Sequence, residues 1–400
     1  MADKSPIEWT DATWNPVVGC SIVSPGCTNC YAMKMAARIE AMGGAPHYAG
    51  TTKKVNGNAV WTGKLAQAPE RILLEPLSWR RPRRIFVNSM GDLFHEDVPD
   101  EWIDQTFAVM AVTPHHTHQV LTKRANRMRR YLADPTTKRR VYDLACKLVI
   151  ERQIEVVLIA PGIDERHAPA GPRVYLDRWP LPNVWLGVSA ERQQEADERI
   201  PELLATPAAI RFVSAEPLLG PIDFERINRR PNSNDERMPG VGIVKQFYVD
   251  ALTGCEGLAY RIAGGPDMFA ESRGGPKLDW IIVGGESGPD ARPMHPAWPR
   301  AIRDQCAAAG VPFFFKQWGS WAPGECANKA ATRTERTASL CDDDWYRSKW
   351  RYGTITPRVS AEMHYEDEPD VYRLGKKAAG RRLDGIEHNG MPQAREVPAL

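Results

Sequence analysis

One unit recurs along this chain: a short apolar run, a polar or glycine-containing turn, then a stretch with helical periodicity. Residues 84–88 lead through Ser89, Met90, Gly91 and Asp92 to a helix predicted over 99–112. Residues 118–121 lead through Thr122, Lys123 and Arg124 to a helix over 125–132. Residues 183–188 lead through Ser189 and Glu191 to a helix over 193–204. Residues 280–283 lead through Gly284, Gly285 and Glu286 to a helix over 298–309. Two further apolar runs, 210–213 and 311–315, end at Ser214, Ala215 and Glu216 and at Lys316, Gln317 and Trp318. A parallel strand pair needs a long connection, and helices laid along a parallel sheet cover it, so the strands themselves read as apolar runs. With residues 14–18 as the first strand, the pattern predicts an α/β fold in which five or six further units complete a barrel or partial barrel.

Four hundred residues accommodate such a barrel with insertions. Two segments interrupt the repeat, at about 141–181 and 225–278, and both read as insertions on barrel loops. Residues 1–321 therefore form the expected barrel domain. Residues 322–400 form a polar C-terminal extension, expected to be partly disordered, with 381–400 as a loose tail. Within it, Trp345, Tyr346, Arg347, Lys349, Trp350 and Arg351 interleave aromatic and basic side chains, a mixture suited equally to base stacking with phosphate contact and to ordinary packing.

Chemistry in such barrels gathers at the carboxyl ends of the strands. Each run here ends in polar residues: Asp92, Thr122, Lys123, Ser189, Glu191, Ser214, Glu216, Glu286, Ser287, Lys316 and Gln317. A Ser or Asp after a strand can simply cap the next helix, but Glu191 and Glu216 suit that role less well. Repetition across six strands predicts a polar mouth.

Cys20, Cys27 and Cys30 lie within eleven residues, in a loop shaped by Pro25 and Gly26. Structural zinc takes four protein ligands, whereas a catalytic metal or a cluster with one open iron takes three. Buried thiols can also pack as small apolar groups, but Ser, Thr, Asn, Pro and Gly surround these three, and ligation is the favoured reading. The other five cysteines are scattered. Cys146 and Cys306 fall in helical patterns and are expected in the core; Cys326 and Cys341 lack the close pairing of a second site, and Cys255 carries no assignment.

The 52 Lys and Arg against 50 Asp and Glu leave a net charge of +2, which names no partner. Basic residues do cluster locally: Arg80, Arg81, Arg83 and Arg84, then Lys123, Arg124, Arg127, Arg129 and Arg130, then Lys138, Arg139 and Arg140. Such runs are either solvated faces or, if gathered on one rim, a phosphate-binding surface. The first eleven residues are polar, unlike a signal peptide, and no run approaches the ~18 apolar residues of a membrane span. The expectation is a soluble, cytoplasmic protein with reduced thiols and no membrane partner.

Several strings carry a family resemblance. They include residues 9–16, the Cys20 to Ala32 loop, Met90-Gly91-Asp92-Leu93-Phe94, Leu121-Thr122-Lys123-Arg124 and Trp185-Leu186-Gly187-Val188-Ser189. To these are added residues 214–222, Gly284-Gly285-Glu286-Ser287-Gly288 and residues 313–319. In this order, from Trp9 to Trp318, the sequence resembles the phage three-Cys-motif protein family of phages and bacteria. That family looks like radical S-adenosylmethionine (SAM) proteins, and is distantly similar to their spore photoproduct lyase-like branch. The resemblance implies a partial (β/α)6-type TIM barrel of the radical SAM kind, with a [4Fe–4S] cluster on Cys20, Cys27 and Cys30 and SAM as second cofactor.

By strand position, the resemblance puts Ser89, Gly91 and Asp92 at the SAM amino group, Lys123, Ser189 and Glu191 at its ribose and carboxylate, and Gly284, Gly285 and Glu286 beside its adenine. Tyr31, Glu216 and Lys316 are the candidate catalytic groups. Two features depart from the usual radical SAM loop, whose spacing is C-x3-C-x2-C: six residues separate Cys20 from Cys27, and Asn29 stands where an aromatic normally precedes the third Cys. The expected function is reductive SAM cleavage and hydrogen abstraction from a substrate, nucleic acid being favoured, with an electron donor such as a flavodoxin or ferredoxin. Rival readings are a nucleic-acid-binding module stapled by zinc on the three Cys plus His47, and a zinc-dependent barrel hydrolase. For Lys316, the bland reading is a side chain reaching back to water. The functional one is an ammonium at the mouth, with Trp318 as a stacking lid.

Overall fold

The computed structural model describes residues 5, 7–159, 171–228, 236–238, 242–261, 267–326, 334–341, 344–351 and 370–393. Seven strands form its central sheet: β1 (Ala12–Trp14), β2 (Arg84–Val87), β3 (Thr117–Thr122), β4 (Val184–Ser189), β5 (Ile210–Ala215), β6 (Trp280–Gly284) and β7 (Phe313–Gln317). All are parallel and lie in chain order, an open half-barrel with β1 and β7 at its edges. An order that never reverses carries every right-handed crossover to the same side. The helices therefore share one face: α1 (Tyr31–Met42) follows the cysteine loop, then come α2 (Asp100–Ala111), α3 (Ala125–Ala133), α4 (Pro135–Arg152), α5 (Gln193–Leu204) and α6 (Ala297–Ala309).

Alternation along the strands divides the core in two. Val87, Val120, Leu186, Val188, Val213, Ile281, Val283, Phe313 and Phe315 point outward, beneath Phe107, Met128, Ile200 and Ile302 of the helices. Trp185, Ile210, Phe212, Trp280, Ile282 and Phe314 point inward and form an apolar floor at the amino-terminal half of the sheet, sealed by Trp9 with Met391 against it. Their inward successors toward the carboxyl ends are Ser189, Ser214, Glu216 and Lys316. The inner face thus passes from aromatic floor to polar mouth.

Two expectations change, and the 225–278 insertion proves to carry a sheet of its own. The first strand stops at Trp14: Pro16 has no N–H to donate, and Val17–Val18 turns away to pair antiparallel with Ala66–Gln67. The 225–278 insertion is rooted in the core by Phe224, Ile227, Val249, Ala251 and Leu252, all buried, and carries the antiparallel strands Gly242–Asp250, Cys255–Arg261 and Asp267–Ser272. The chain from 381 to 393 is no loose tail. It runs along the free edge of β7, where the Phe315 amide donates to His388 O and Gly390 donates to Phe313 O. Trp280 Nε1 also donates to Gly390 O at 2.7 Å. Residues 352–369 and 394–400 lie outside the described residues. Among the described residues no helix is long and apolar enough to cross a membrane.

Candidate functional site at the carboxyl ends of the strands

The cysteine loop leaves β1 and is held over the mouth by contacts to four strand ends. Gly19 bridges Gly91 after β2, and a Cβ on Gly91 would lie 2.9 Å from Gly19 O and 3.0 Å from Val17 O. Ser24 donates to Glu191 Oε1 after β4 at 2.9 Å. Gly26 packs so closely on the same carboxylate that a Cβ would sit 2.2 Å from Oε1. Asn29 donates to Glu286 Oε2 after β6 at 3.0 Å, and Arg292 reaches from the same segment to Pro25 O at 2.9 Å. Arg124, after β3, donates to Ser21 Oγ at 2.8 Å and lies 3.6 Å from Cys20 Sγ. Of the polar strand ends singled out in the sequence, Glu191 and Glu286 contact this loop directly, and Asp92 and Lys123 lie within electrostatic range of its thiols.

Most of the acidic residues there are fully engaged. Asp92 accepts from Thr122 Oγ1 at 2.6 Å, the Phe94 amide at 3.0 Å, the Lys123 amide at 3.1 Å and Arg124 at 3.0 Å. Glu191, fully buried, accepts from Ser24, Lys123 and Arg199. Burial alone would raise its pKa, but the Lys123 and Arg199 charges outweigh it and hold the carboxyl below its usual range. Glu286 is likewise held down, against its burial, by Arg292. These groups brace the mouth. Gly284 and Gly285 do similar work in backbone form: a Cβ on Gly285 would lie 2.0 Å from Trp318 O, and one on Gly284 3.2 Å from Glu216 Cδ. Ser89 donates to Asn15 Oδ1 at 3.1 Å, beside β1.

Glu216 and Lys316 form a second pair, two-pronged at 2.7 and 3.0 Å, on the inner face. Lys316 Nζ is thus fixed to a carboxylate at the mouth, where the sequence allowed a lysine reaching for water. Trp318 is no lid: it is fully buried, packs edge-on against Phe315 and donates Nε1 to Arg382 O. The residue follows a β-bulge, which turns its ring into the outer core. Tyr31 opens α1 and is 65% exposed.

The three thiols share this setting. Burial pushes the Cys20 thiol up to about 12, with Asp92 adding to the shift and Arg124 opposing it. Cys30 is raised by burial too, although the Met33 and Ala32 amides at the start of α1 favour its thiolate. Cys27 and Cys30 are within electrostatic range of Cys20. Each sulfur has its own neighbour: Cys20 donates to Ser21 O at 3.4 Å, and Cys27 Sγ lies 3.9 Å from Ser24 Oγ. Among the described residues no three His, Cys, Asp or Glu side chains are gathered as a metal-binding group. In kind and number the donors nonetheless fit an iron–sulfur cluster: three soft sulfurs on one loop, beside a guanidinium and a helix N-terminus that favour thiolate. Loading requires their deprotonation and rotation toward one another. His47 joins no such group either; its ring packs on Tyr48 at 4.7 Å.

Ser21 and His95 resemble a nucleophile–base pair, with Oγ 2.8 Å from Nε2. The Asp97 amide donates to His95 Nδ1, however, which leaves the proton of the neutral ring on Nε2. The imidazole therefore donates to Ser21, and Arg124 donates to the same oxygen. Nothing in this pair activates the hydroxyl.

Sequence reasoning missed Ser24, Asn29, Arg199 and Arg292. Only the last had a local signal, a basic residue six positions after Glu286. The basic clusters are mostly neutralised: Arg84 pairs with Asp11, Arg127 with Asp100, Arg129 with Glu202, Arg139 with Asp143 and Arg140 with Asp104.

No curated protein and no solved structure matches the chain. A family model does, over residues 4–392, and the chain belongs to the family it defines, described as "Protein of unknown function (DUF5131)".

Proposed function

We propose that this chain is an iron–sulfur, SAM-dependent radical enzyme of the phage three-Cys-motif type, built on a radical SAM-like partial barrel and acting on nucleic acid. One observation carries the reading: a loop with three thiols is braced, by residues from four strand ends, over the polar mouth of a parallel half-barrel. In this reading Cys20, Cys27 and Cys30 hold three irons of a [4Fe–4S] cluster and leave the fourth for SAM. The two cofactors would supply one-electron cleavage of SAM and hydrogen abstraction from substrate.

The chain's own residues supply position and shelter. The Glu191–Lys123–Arg199 and Asp92–Arg124 networks fix the loop. The aromatic floor of Phe212, Trp280 and Phe314 excludes water from below. Lys316, held by Glu216, offers an ammonium to a carboxylate or phosphate entering the mouth, and Ser189 and Ser214 line the same inner face. A flavodoxin- or ferredoxin-type donor would deliver the electron. The test is anaerobic incubation of the reconstituted protein with SAM and dithionite. Methionine and 5′-deoxyadenosine are expected from the native chain and not from Cys27→Ala; intact SAM in both would refute the proposal.

A further inference from the structure

A second site stands on the C-terminal extension. A cavity of about 610 Å³ lies between the loop of Pro289, Asp290 and Ala291, the indole of Trp321, and the side chains of Arg336, Arg347 and Arg373. Arg336 and Arg347 come from neighbouring antiparallel strands, Thr334–Cys341 and Asp344–Arg351, and Arg373 follows the strand Val371–Tyr372 that completes this small sheet. The three are brought together by tertiary pairing alone.

Their electrostatics differ from every basic cluster on the barrel. Among the described residues, none of these three guanidiniums has a carboxylate within ion-pair distance. Arg373 is fixed by the carbonyl oxygens of Gly288 and Pro289. Arg347 and Arg373 lie over the Trp321 ring at 5.7 and 6.0 Å, and that indole is itself fixed by donation to Ala291 O at 2.8 Å. Asp290, the one acid of the wall among the described residues, is turned toward Lys34 at 3.4 Å. Three cations around one cavity, two of them over an aromatic ring, form a site for an anion with several acceptor oxygens.

The cavity's size and surroundings identify that anion. It is far larger than an inorganic phosphate and falls within the range of pockets that hold a nucleotide. In the sequence, Lys349 and Arg351 follow Arg347 at alternate positions, more basic residues than a single small ligand needs. The cavity wall is also the back of the loop whose Asp290 carbonyl accepts from Asn29 at 2.9 Å, so the cavity adjoins the cysteine loop. We propose that this cavity binds the phosphate backbone of a single-stranded nucleic acid whose neighbouring nucleotide reaches the barrel mouth. The proposal names the substrate class of the function proposed above, but its binding half is independent of any cofactor.

The test uses the full chain without SAM and a fluorescein-labelled single-stranded oligonucleotide, followed by anisotropy against salt. Arg336→Glu and Arg347→Glu are each expected to weaken binding about tenfold or more and to lower the salt slope by about one, with thermal midpoints retained. The exposed Arg139→Glu on α4 is expected to leave both unchanged. If a charge reversal unfolds the chain, Arg336→Gln and Arg347→Gln read the same effect. Failure of the native chain to bind overturns the proposal, as does binding unaffected at Arg336 and Arg347, or an equal loss in Arg139→Glu. Displacement of the oligonucleotide by a nucleoside monophosphate at equal phosphate concentration also overturns it, since a free nucleotide is then the occupant. None of these readouts depends on SAM cleavage, so failure of the radical chemistry and failure of this site are told apart.

Discussion

Glu191 is the residue on which the mouth depends most. Its carboxylate is fully buried and serves two cations and the Ser24 hydroxyl of the cysteine loop. Glu191→Gln leaves Lys123 and Arg199 facing each other without compensation, a loss of about 3–5 kcal/mol for a broken buried pair. The pH dependence follows from the sign of the shift. The folded-state pKa lies below the ordinary 4.5, so this contribution is present above that value and is lost as pH falls through the folded pKa. The thermal stability of the native chain should therefore fall on acidification below about 4.5, and the Gln variant should show a shallower acid slope. A variant as stable as the native chain at neutral pH would remove Glu191 from this role. Lys316 makes a complementary case: its pair with Glu216 is mostly but not wholly buried, so Lys316→Ala should cost about 1–3 kcal/mol. If Lys316 acts on substrate, turnover should fall by at least about tenfold with iron content unchanged; unchanged turnover would leave Lys316 a structural partner of Glu216.

At the scale of elements, the repeat was readable because buried parallel strands must be apolar on both faces. Runs such as Trp280 to Val283 and Phe313 to Phe315 carry that demand in their composition. Their polar termini were readable for the same reason, since the apolar run must stop where the sheet meets the mouth. What joins one strand end to another was not. Lys123 meets Glu191 and Asn29 meets Glu286 across large sequence separations, and no local pattern encodes such pairs. The segment from Arg381 looked loose because it is polar, yet it is held by backbone hydrogen bonds to β7 that composition does not reveal. Truncation after Gly380 should remove the bonds from Gly390 and to His388 and Gly390, worth roughly 1 kcal/mol each, and uncover the inner floor where Met391 packs. A melting temperature lowered by several degrees is expected; an unchanged one would mean the edge of β7 needs no cover.

The whole molecule joins a half-barrel, a braced cysteine loop and an extension that places beside it three arginines with no carboxylate partner among the described residues. The central proposal is that Cys20, Cys27 and Cys30 act together as cluster ligands, even though burial raises the Cys20 and Cys30 thiols. The most direct measurement is iron and sulfide content, with the visible spectrum, after anaerobic reconstitution of the native chain and of each Cys→Ala variant. About four irons and four sulfides per chain and a brown chromophore, lost in all three variants and kept in Cys146→Ala, are predicted. A colourless protein holding a single zinc, or iron content indifferent to these three residues, would contradict it.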